Sequence, residues 1–228
     1  MKISVIIPTL NEEDMIGRTI RAVKKRSGGY LEEIIVVDGG SADRTISRAN
    51  QAGATRVLQT AEKGRARQMN KGARHASSEI LYFLHADTIP PHQFDVQVAA
   101  ACQRGATAGC FRLAFDRDHP LLNFYAWCTR FDLNAFRFGD QSLFTTRTLF
   151  TRTGGFDADL LVMEDNMMVR KIKKLDNFEI LPEQVTTSAR KYERVGVVRL
   201  QLIFTLIYGL FFLGISQELL VRIYKKLI

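Results

Sequence analysis

Cysteine is scarce in this chain: Cys102, Cys110 and Cys128 are odd in number and lack the paired spacing of zinc sites or redox motifs. They read as reduced, mostly buried thiols, which suits a cytoplasmic location. A secretory leader is missing as well. Met1-Lys2 runs directly into the strand-like Ile3 to Ile7, with no signal-peptide core or cleavage site, so export by an amino-terminal signal is not expected. There is no Walker loop, and no Gly-x-Gly-x-x-Gly follows the first strand, which disfavours P-loop hydrolysis and dinucleotide binding of that type. Basic residues are dispersed and no reading motif occurs, so nucleic acid is the least expected partner.

What remains is ordinary globular material of 228 residues, enough for one large domain or a domain with a substantial appendage. The formal net charge of +8 favours an anionic partner, and charge alone does not choose among nucleic acid, a membrane surface and a phosphorylated small molecule. Ile3 to Ile7 predicts a strand, and Asn11 with Glu12, Glu13 and Asp14 opens a helix carrying Ile16, Ile20 and Val23 on one face. The pattern repeats. Glu33 to Val37 is a strand, Asp38-Gly39-Gly40-Ser41 a turn, and Ala42 to Gln51 a helix with Ser41 as its cap. Thr55 to Leu58, a helix from Arg65 to Ala76, and the strand Ile80 to Leu84 follow. Alternation of this kind predicts an α/β fold, with a mostly parallel central sheet and helices on both faces.

Ligands of open α/β sheets bind beyond the carboxyl ends of the strands, and polar residues gather there: Thr9, Asn11 and Glu12, then Asp38, then His85-Ala86-Asp87. Asp38 before two glycines could accept from a base N–H or a ribose hydroxyl, or simply make an Asp-Gly turn; Gly39 and Gly40 leave room for a ring or phosphate. Asp87 offers a hard oxygen for Mg²⁺ or Mn²⁺ and His85 a nitrogen that Mn²⁺ tolerates better, although Asp87 could equally cap the turn before Pro90-Pro91. The basic patch Lys63-Gly64-Arg65 through Asn70 heads a helix, where free N–H groups favour anions; phosphate is the economical partner of Arg65.

Further on, His92 to Arg104 predicts a helix, Ala108 to Phe115 a strand, and Leu121 to Leu133 a helix. The stripe Phe124, Trp127, Cys128 and Phe131 on the last of these is expected in the core rather than as a stacking platform. Arg137 to Gln141 reads as a polar turn before a strand at Ser142 to Thr145, with Asp140 and Gln141 as ligand contacts or turn residues. A loop from Gly154 ends at Glu164-Asp165, ahead of a helix from Asn166 to Leu175 with Met167, Met168 and Ile172 inward. Those two carboxylates either cap that helix or include a general base.

Taken in order, Ile6-Ile7-Pro8-Thr9-Leu10-Asn11-Glu12, Val36-Val37-Asp38-Gly39-Gly40-Ser41-Ala42-Asp43-Arg44-Thr45, Gly64-Arg65 through Asn70-Lys71-Gly72-Ala73, Leu84-His85-Ala86-Asp87-Thr88, Gly154-Gly155-Phe156 and Glu164-Asp165 resemble a family 2 glycosyltransferase of the GT-A fold. The chain is most similar to a small bacterial branch with His-Ala-Asp in place of Asp-x-Asp. The resemblance spans about residues 3 to 190. It implies a nucleotide-sugar donor, a divalent cation (Mn or Mg) and inverting transfer. By it, Thr9, Glu12 and Asp38 would hold the nucleoside, Arg65 would approach the nucleotide, Asp87 would hold the metal, and Asp165 would be the base beside Glu164. Asn11, Gly39, Gly64, Asn70, His85, Asp140, Gln141 and Arg190 complete the expected substrate contacts. The Gln-x-x-Arg-Trp motif of processive synthases is absent, which favours transfer of a single sugar.

Residues 1–115 are therefore expected to hold the donor and 116–195 an unknown hydroxyl acceptor, with a lipid among the candidates. Nucleotidyl transfer, or a non-catalytic module binding nucleotide-sugar or lipid, are the alternatives. Residues 196–228 form a hydrophobic helical segment. From Leu200 through Gln217 no side chain is charged, a length borderline for a bilayer span, which needs roughly 20 residues. Basic clusters flank both ends, so attachment to the inner face of the cytoplasmic membrane or packing in a homo-oligomer is favoured over spanning.

Overall fold

The computed structural model describes residues 1–61 and 64–228; Lys63, expected at the head of the basic patch, lies outside the described residues. Strand β1 (Ile3–Thr9) is buried along its whole length, as a central strand covered on both faces must be. Helix α1 (Ile16–Arg26) turns Ile16, Ile20 and Val23 into the core and ends on Lys24, Lys25 and Arg26, where cations complement the helix dipole. It starts at Ile16 rather than Asn11, because Asn11 takes a left-handed φ of +54° and its side-chain oxygen accepts from Ala42 N.

Strand β2 (Leu31–Asp38) leads to α2 (Thr45–Gln51), which begins three residues beyond the expected start. Ser41 is not its cap: the Ser41 hydroxyl donates to Asp38 Oδ1 at 2.5 Å and accepts from Asn11 N. Then come β3 (Arg56–Gln59), α3 (Arg65–His75) and β4 (Ile80–Phe83). The four strands lie in the order β3-β2-β1-β4, all parallel, so their carboxyl ends open on one crevice.

The second half extends the same sheet. It contains β5 (Thr88–Ile89), α4 (Phe94–Gln103), β6 (Ala108–Phe115), α5 (Pro120–Cys128), β7 (Leu143–Thr146), α6 (Arg147–Arg152), α7 (Glu164–Leu175) and β8 (Phe178–Thr187). The eight-stranded order is β3-β2-β1-β4-β7-β6-β8-β5; β7 and β5 run against the rest. Strand β8 escapes a period-two reading, because its register against β6 jumps from Phe111↔Leu181 to Arg112↔Gln184 and leaves Pro182 and Glu183 in a bulge. Alternate residues of β1 and β2 feed the two faces: Val5, Ile7 and Val36 pack with α1 and α4, and Ile6, Ile35 and Val37 with α3 and α7.

One expectation fails here for a packing reason. Phe124, Trp127 and Phe131 are exposed, Trp127 by 45%, because α5 turns Leu122, Ala126 and Cys128 inward and ends at Cys128. The Arg130 guanidinium lies 5.0 Å over the Trp127 ring. The carboxyl-terminal segment is helical, as expected, and its uncharged stretch is divided between two helices. After α8 (Arg190–Val195), α9 (Val197–Phe212) stops before Gly214 at φ +82°, and Ser216 caps α10 (Gln217–Leu227) by accepting from Leu219 N. Ile203, Ile207 and Leu220 close the pair into a hairpin. Among the described residues no helix is long and apolar enough to cross a membrane. Gln217 Oε1 accepts from Leu161 N and Val162 N, and Arg170 donates to the Tyr208 hydroxyl, which fastens the hairpin to the body.

Candidate active site

Helix α7 begins at Glu164, two residues before the expected start, behind Met163 at φ +70°, a conformation uncommon for a non-glycine residue. No side chain caps the helix, so Glu164 and Asp165 do not serve as its capping residues. Glu164 is 1% exposed and pairs through Oε1 with Arg65 Nε at 2.6 Å; among the described residues neither of its oxygens has a hydrogen-bond partner. Burial raises the Glu164 carboxyl above its ordinary range against the pull of Arg65. Arg65 is pushed up in turn, chiefly by the Glu164 charge.

Asp165 meets His85 from the other side. His85 Nδ1 lies 2.9 Å from Asp140 Oδ1, and Nε2 lies 3.6 Å from Asp165 Oδ2. Burial opposes the imidazolium, yet the hydrogen bond to Asp140 and the Asp165 carboxylate 3.6 Å away outweigh it, and the ring is pushed up to about 10. Both carboxyls stay below their ordinary range: burial raises them, and His85 and then Arg65 lower them further. Both ring nitrogens thus face carboxylates. His85 acts as a positive charge between Asp140 and Asp165.

Gly139 makes that contact possible. A Cβ there would stand 2.2 Å from Asp165 Oδ2 and 2.4 Å from His85 Nε2. The atoms met are side-chain ends, which can move aside. Gly139→Ala is therefore expected to fold with a near-normal melting temperature while transfer slows about 100-fold, the effect of an ångström-scale misplacement at a reacting group. Steady-state kinetics beside a thermal melt checks this, and an unchanged rate removes the role of the His85–Asp165 contact.

A second cluster lies at the ends of β1 and β4. Arg190 Nη2 donates to both oxygens of Glu12 at 2.6 Å and to Asp87 Oδ2 at 3.2 Å. Burial lifts the Glu12 carboxyl in spite of Arg190. Two hard carboxylates converging on one cationic nitrogen suit a divalent cation whose remaining oxygens come from a diphosphate. Among the described residues no set of three His, Cys, Asp or Glu could hold a metal ion. The fit therefore needs phosphate oxygens.

Several of the residues expected to contact ligand also make hydrogen bonds within the chain. Asp38 is buried and all four of its acceptor positions are filled: Oδ1 takes Thr9 Oγ1 and Ser41 Oγ, and Oδ2 takes Gly40 N and Ser41 N. It builds the turn, and the Thr9 hydroxyl meets Val37 O and Asp38 Oδ1 there. Asn11 is tied to Ala42. Asn70 holds the loop after α6, accepting from Phe156 N and donating to Phe156 O. Gln141 is buried, accepting from Arg137 and donating to Phe136 O. Gly64, at φ +118°, opens α3 in a conformation that favours glycine. Gly39 leaves space that the Gln68 amide fills. Gln68 and Gly139 were not singled out from sequence; the available signal for Gln68 was a polar side chain on the buried side of α3, beside Met69.

The Glycosyl transferase family 2 model matches residues 4–158. Glucosyl-3-phosphoglycerate synthase of Mycolicibacterium smegmatis is 33% identical over 39% of this chain and 32% of its own length. The chain thus spans about a third of that relative. S. aureus TarS 1-349 in complex with UDP superposes with a TM-score of 0.67 at 18% identity, covering 82% of this chain and 60% of that one. Mannosyltransferase PcManGT from Pyrobaculum calidifontis, in complex with GDP-Man and Mn2+, gives 0.65 at 23% identity, covering 81% and 56%. These likenesses establish the GT-A architecture. With its match extending over most of the sheet and ending just short of α7, the chain belongs to glycosyl transferase family 2.

Proposed function

We propose that this chain moves a single sugar from a nucleotide-diphosphate sugar to a hydroxyl acceptor, with inversion at the anomeric carbon. The observation that carries the reading is Asp165, a carboxylate 3.6 Å from His85 that the charges of His85 and Arg65 hold below its ordinary range. The acceptor hydroxyl gives its proton to Asp165 as its oxygen bonds to the anomeric carbon. The bond from that carbon to the diphosphate oxygen breaks on the opposite face. Arg65 and Arg190 are placed to meet the negative charge that gathers on the departing nucleoside diphosphate. Glu164 positions Arg65, and Asp140 positions His85. A divalent cation, held by Asp87 with Glu12 beside it, would supply further neutralisation of that charge when bound. Solved relatives with UDP, or with GDP-Man and Mn2+, support the donor class and the cation.

The surface beside the site supports a lipid-borne acceptor at the inner face of the cytoplasmic membrane. Phe138, next to Gly139, is exposed and meets Tyr208 edge-on, and Tyr208 meets the exposed Phe212 of the hairpin. Leu202, Leu206 and Leu213 extend that exposed apolar character, and the +8 charge suits an anionic surface. The test is turnover of a nucleotide-sugar panel with Mn²⁺ and anionic vesicles carrying a hydroxylated lipid acceptor. The expected products are nucleoside diphosphate and an inverted glycoside. Pyrophosphate release would indicate nucleotidyl transfer, binding without turnover a non-catalytic module, and full-length protein that stays off the vesicles would remove the membrane part.

A further inference from the structure

Strand β6 carries toward the crevice a cation that the transfer chemistry leaves unused. Arg112 is half-buried, its Nε is shut off from solvent, and among the described residues it makes no hydrogen bond and no ion pair. Other arginines around the crevice are committed: Arg65 to Glu164, Arg190 to Glu12 and Asp87, Arg117 to Glu193, and Arg137 to backbone carbonyls. A partly buried guanidinium without a counter-charge is destabilising, and an anion arriving from outside relieves it.

The position of Arg112 follows from the alternation of the strand. Phe111 and Leu113 enter the core on the α1 and α4 side, so Arg112 shares the opposite face with Cys110, whose thiol donates to Gln141 Oε1. Gln141 ends the turn Gly139–Gln141, in which Asp140 holds His85 and Gly139 lies against Asp165. Arg112 thus stands about 7 Å beyond Cys110 toward the carboxyl end of β6, on the face that meets the turn shaping the reaction centre. On the neighbouring β8, the bulge sets Gln184 opposite Arg112 and Thr186 opposite Ala114. Gln184 is exposed, Thr186 and Ala114 are half-buried, and the floor they make with Arg112 is open and polar.

We propose that Arg112 receives an anionic group of the acceptor, a phosphate or a carboxylate, while the acceptor hydroxyl lies at Asp165. A guanidinium pairs with such an oxyanion through two parallel N–H bonds, and the Gln184 amide is a further donor beside it. This rests on the sugar-transfer reading above and adds to it the chemical class of the acceptor: an alcohol that carries its own negative charge. Two sources share that chemistry, a charged alcohol in solution and the headgroup of an anionic lipid.

Calorimetric titration of the full chain with glycerol phosphate, glycerate and glycerol tests the assignment. A second arm uses dihexanoyl phosphatidylglycerol below its micelle concentration against neutral dihexanoylglycerol. At least one charged compound is expected to bind about tenfold or more tightly than its neutral counterpart, and Arg112→Gln to shrink that preference to within about threefold. Binding of glycerol phosphate or glycerate assigns the soluble source, and binding of the phospholipid alone the headgroup. Arg112→Lys, which keeps the charge and loses the fork, is expected to bind about three- to tenfold more weakly than the wild type. Melts without ligand separate this role from a structural one: Arg112→Gln should melt at or above the wild type, by up to about 4 °C, because it removes a charge that has no partner in the free protein. Equal binding of charged and neutral compounds, an undiminished preference in Arg112→Gln, or a lower melting temperature in that variant overturns the assignment. Anion binding that depends on Arg112 while every nucleotide sugar stays intact removes the transfer reading and the acceptor role with it. Sugar transfer to charged and neutral alcohols alike leaves the transfer reading standing and removes this one.

Discussion

Asp165→Asn is expected to lower the transfer rate by about 10²- to 10⁴-fold, the contribution of a positioned general base, while donor affinity changes little. Asparagine keeps the shape and hydrogen-bonding reach of the side chain but cannot take the acceptor proton. The same change removes one of the two carboxylates that keep His85 charged, so the imidazole falls from its raised value toward the ordinary range. That linkage has a sign. A histidine whose folded value is raised contributes stability that is complete below its unfolded value near 6.5 and is lost as pH rises toward about 10. In the variant the loss should be smaller and should end at lower pH. Single-turnover kinetics, donor titration and melts across pH 6 to 10, a range of roughly four units around these values, check the three parts. A wild-type rate would remove Asp165 as the base.

Arg137→Met is expected to destabilise the fold by about 3–5 kcal/mol. Arg137 is 1% exposed and sits under the segment between α5 and β7. Its guanidinium donates to Thr129 O at 2.5 Å, to Phe131 O and to Gln141 Oε1, and Asp132 lies 4.0 Å from Nε. Methionine fills much of the volume, yet Thr129 O loses its donor, at a cost of about 1–3 kcal/mol, and Phe131 O and Gln141 Oε1 are left with only Leu133 N and the Cys110 thiol. The segment also carries Asp140, so His85 should lose its Nδ1 partner and activity should fall together with stability. Urea unfolding measures the first and kinetics the second. A loss below about 1 kcal/mol would mean that water reaches those carbonyls.

How much of this was legible in the sequence depends on the kind of signal. Strands β1, β2 and β4 were readable because a strand covered on both faces is a continuous apolar run, and the helices between them because their apolar residues recur at helical spacing. Strand β8 was not, since its bulge around Pro182 erases the alternation. On α5 the apolar stripe was visible, but a stripe does not say which face a neighbour will cover; the smaller Ala126 and Cys128 face inward. At the strand ends, the gathering of polar residues was apparent, whereas the division of labour was not. Asp38, Asn70 and Gln141 serve the chain's own backbone and side chains, and only a count of donors and acceptors in three dimensions reveals that. Asp140 and Asp165 could be named one by one, but their shared hold on His85 depends on the bare Gly139 between them.

The Arg190 clamp also bears on the order of assembly. Its bond to Glu12 closes a span of 178 residues, and the short β5 pairs with Thr186 and Thr187 at the end of β8. A nascent chain that has emerged only as far as β4 can pair its four parallel strands, but it has neither clamp nor closing edge. Contacts of such sequence separation carry the largest loop-closure cost and form late. The reaction centre is therefore among the last parts of the molecule to take shape, and partial translation products should be folded in part yet inert.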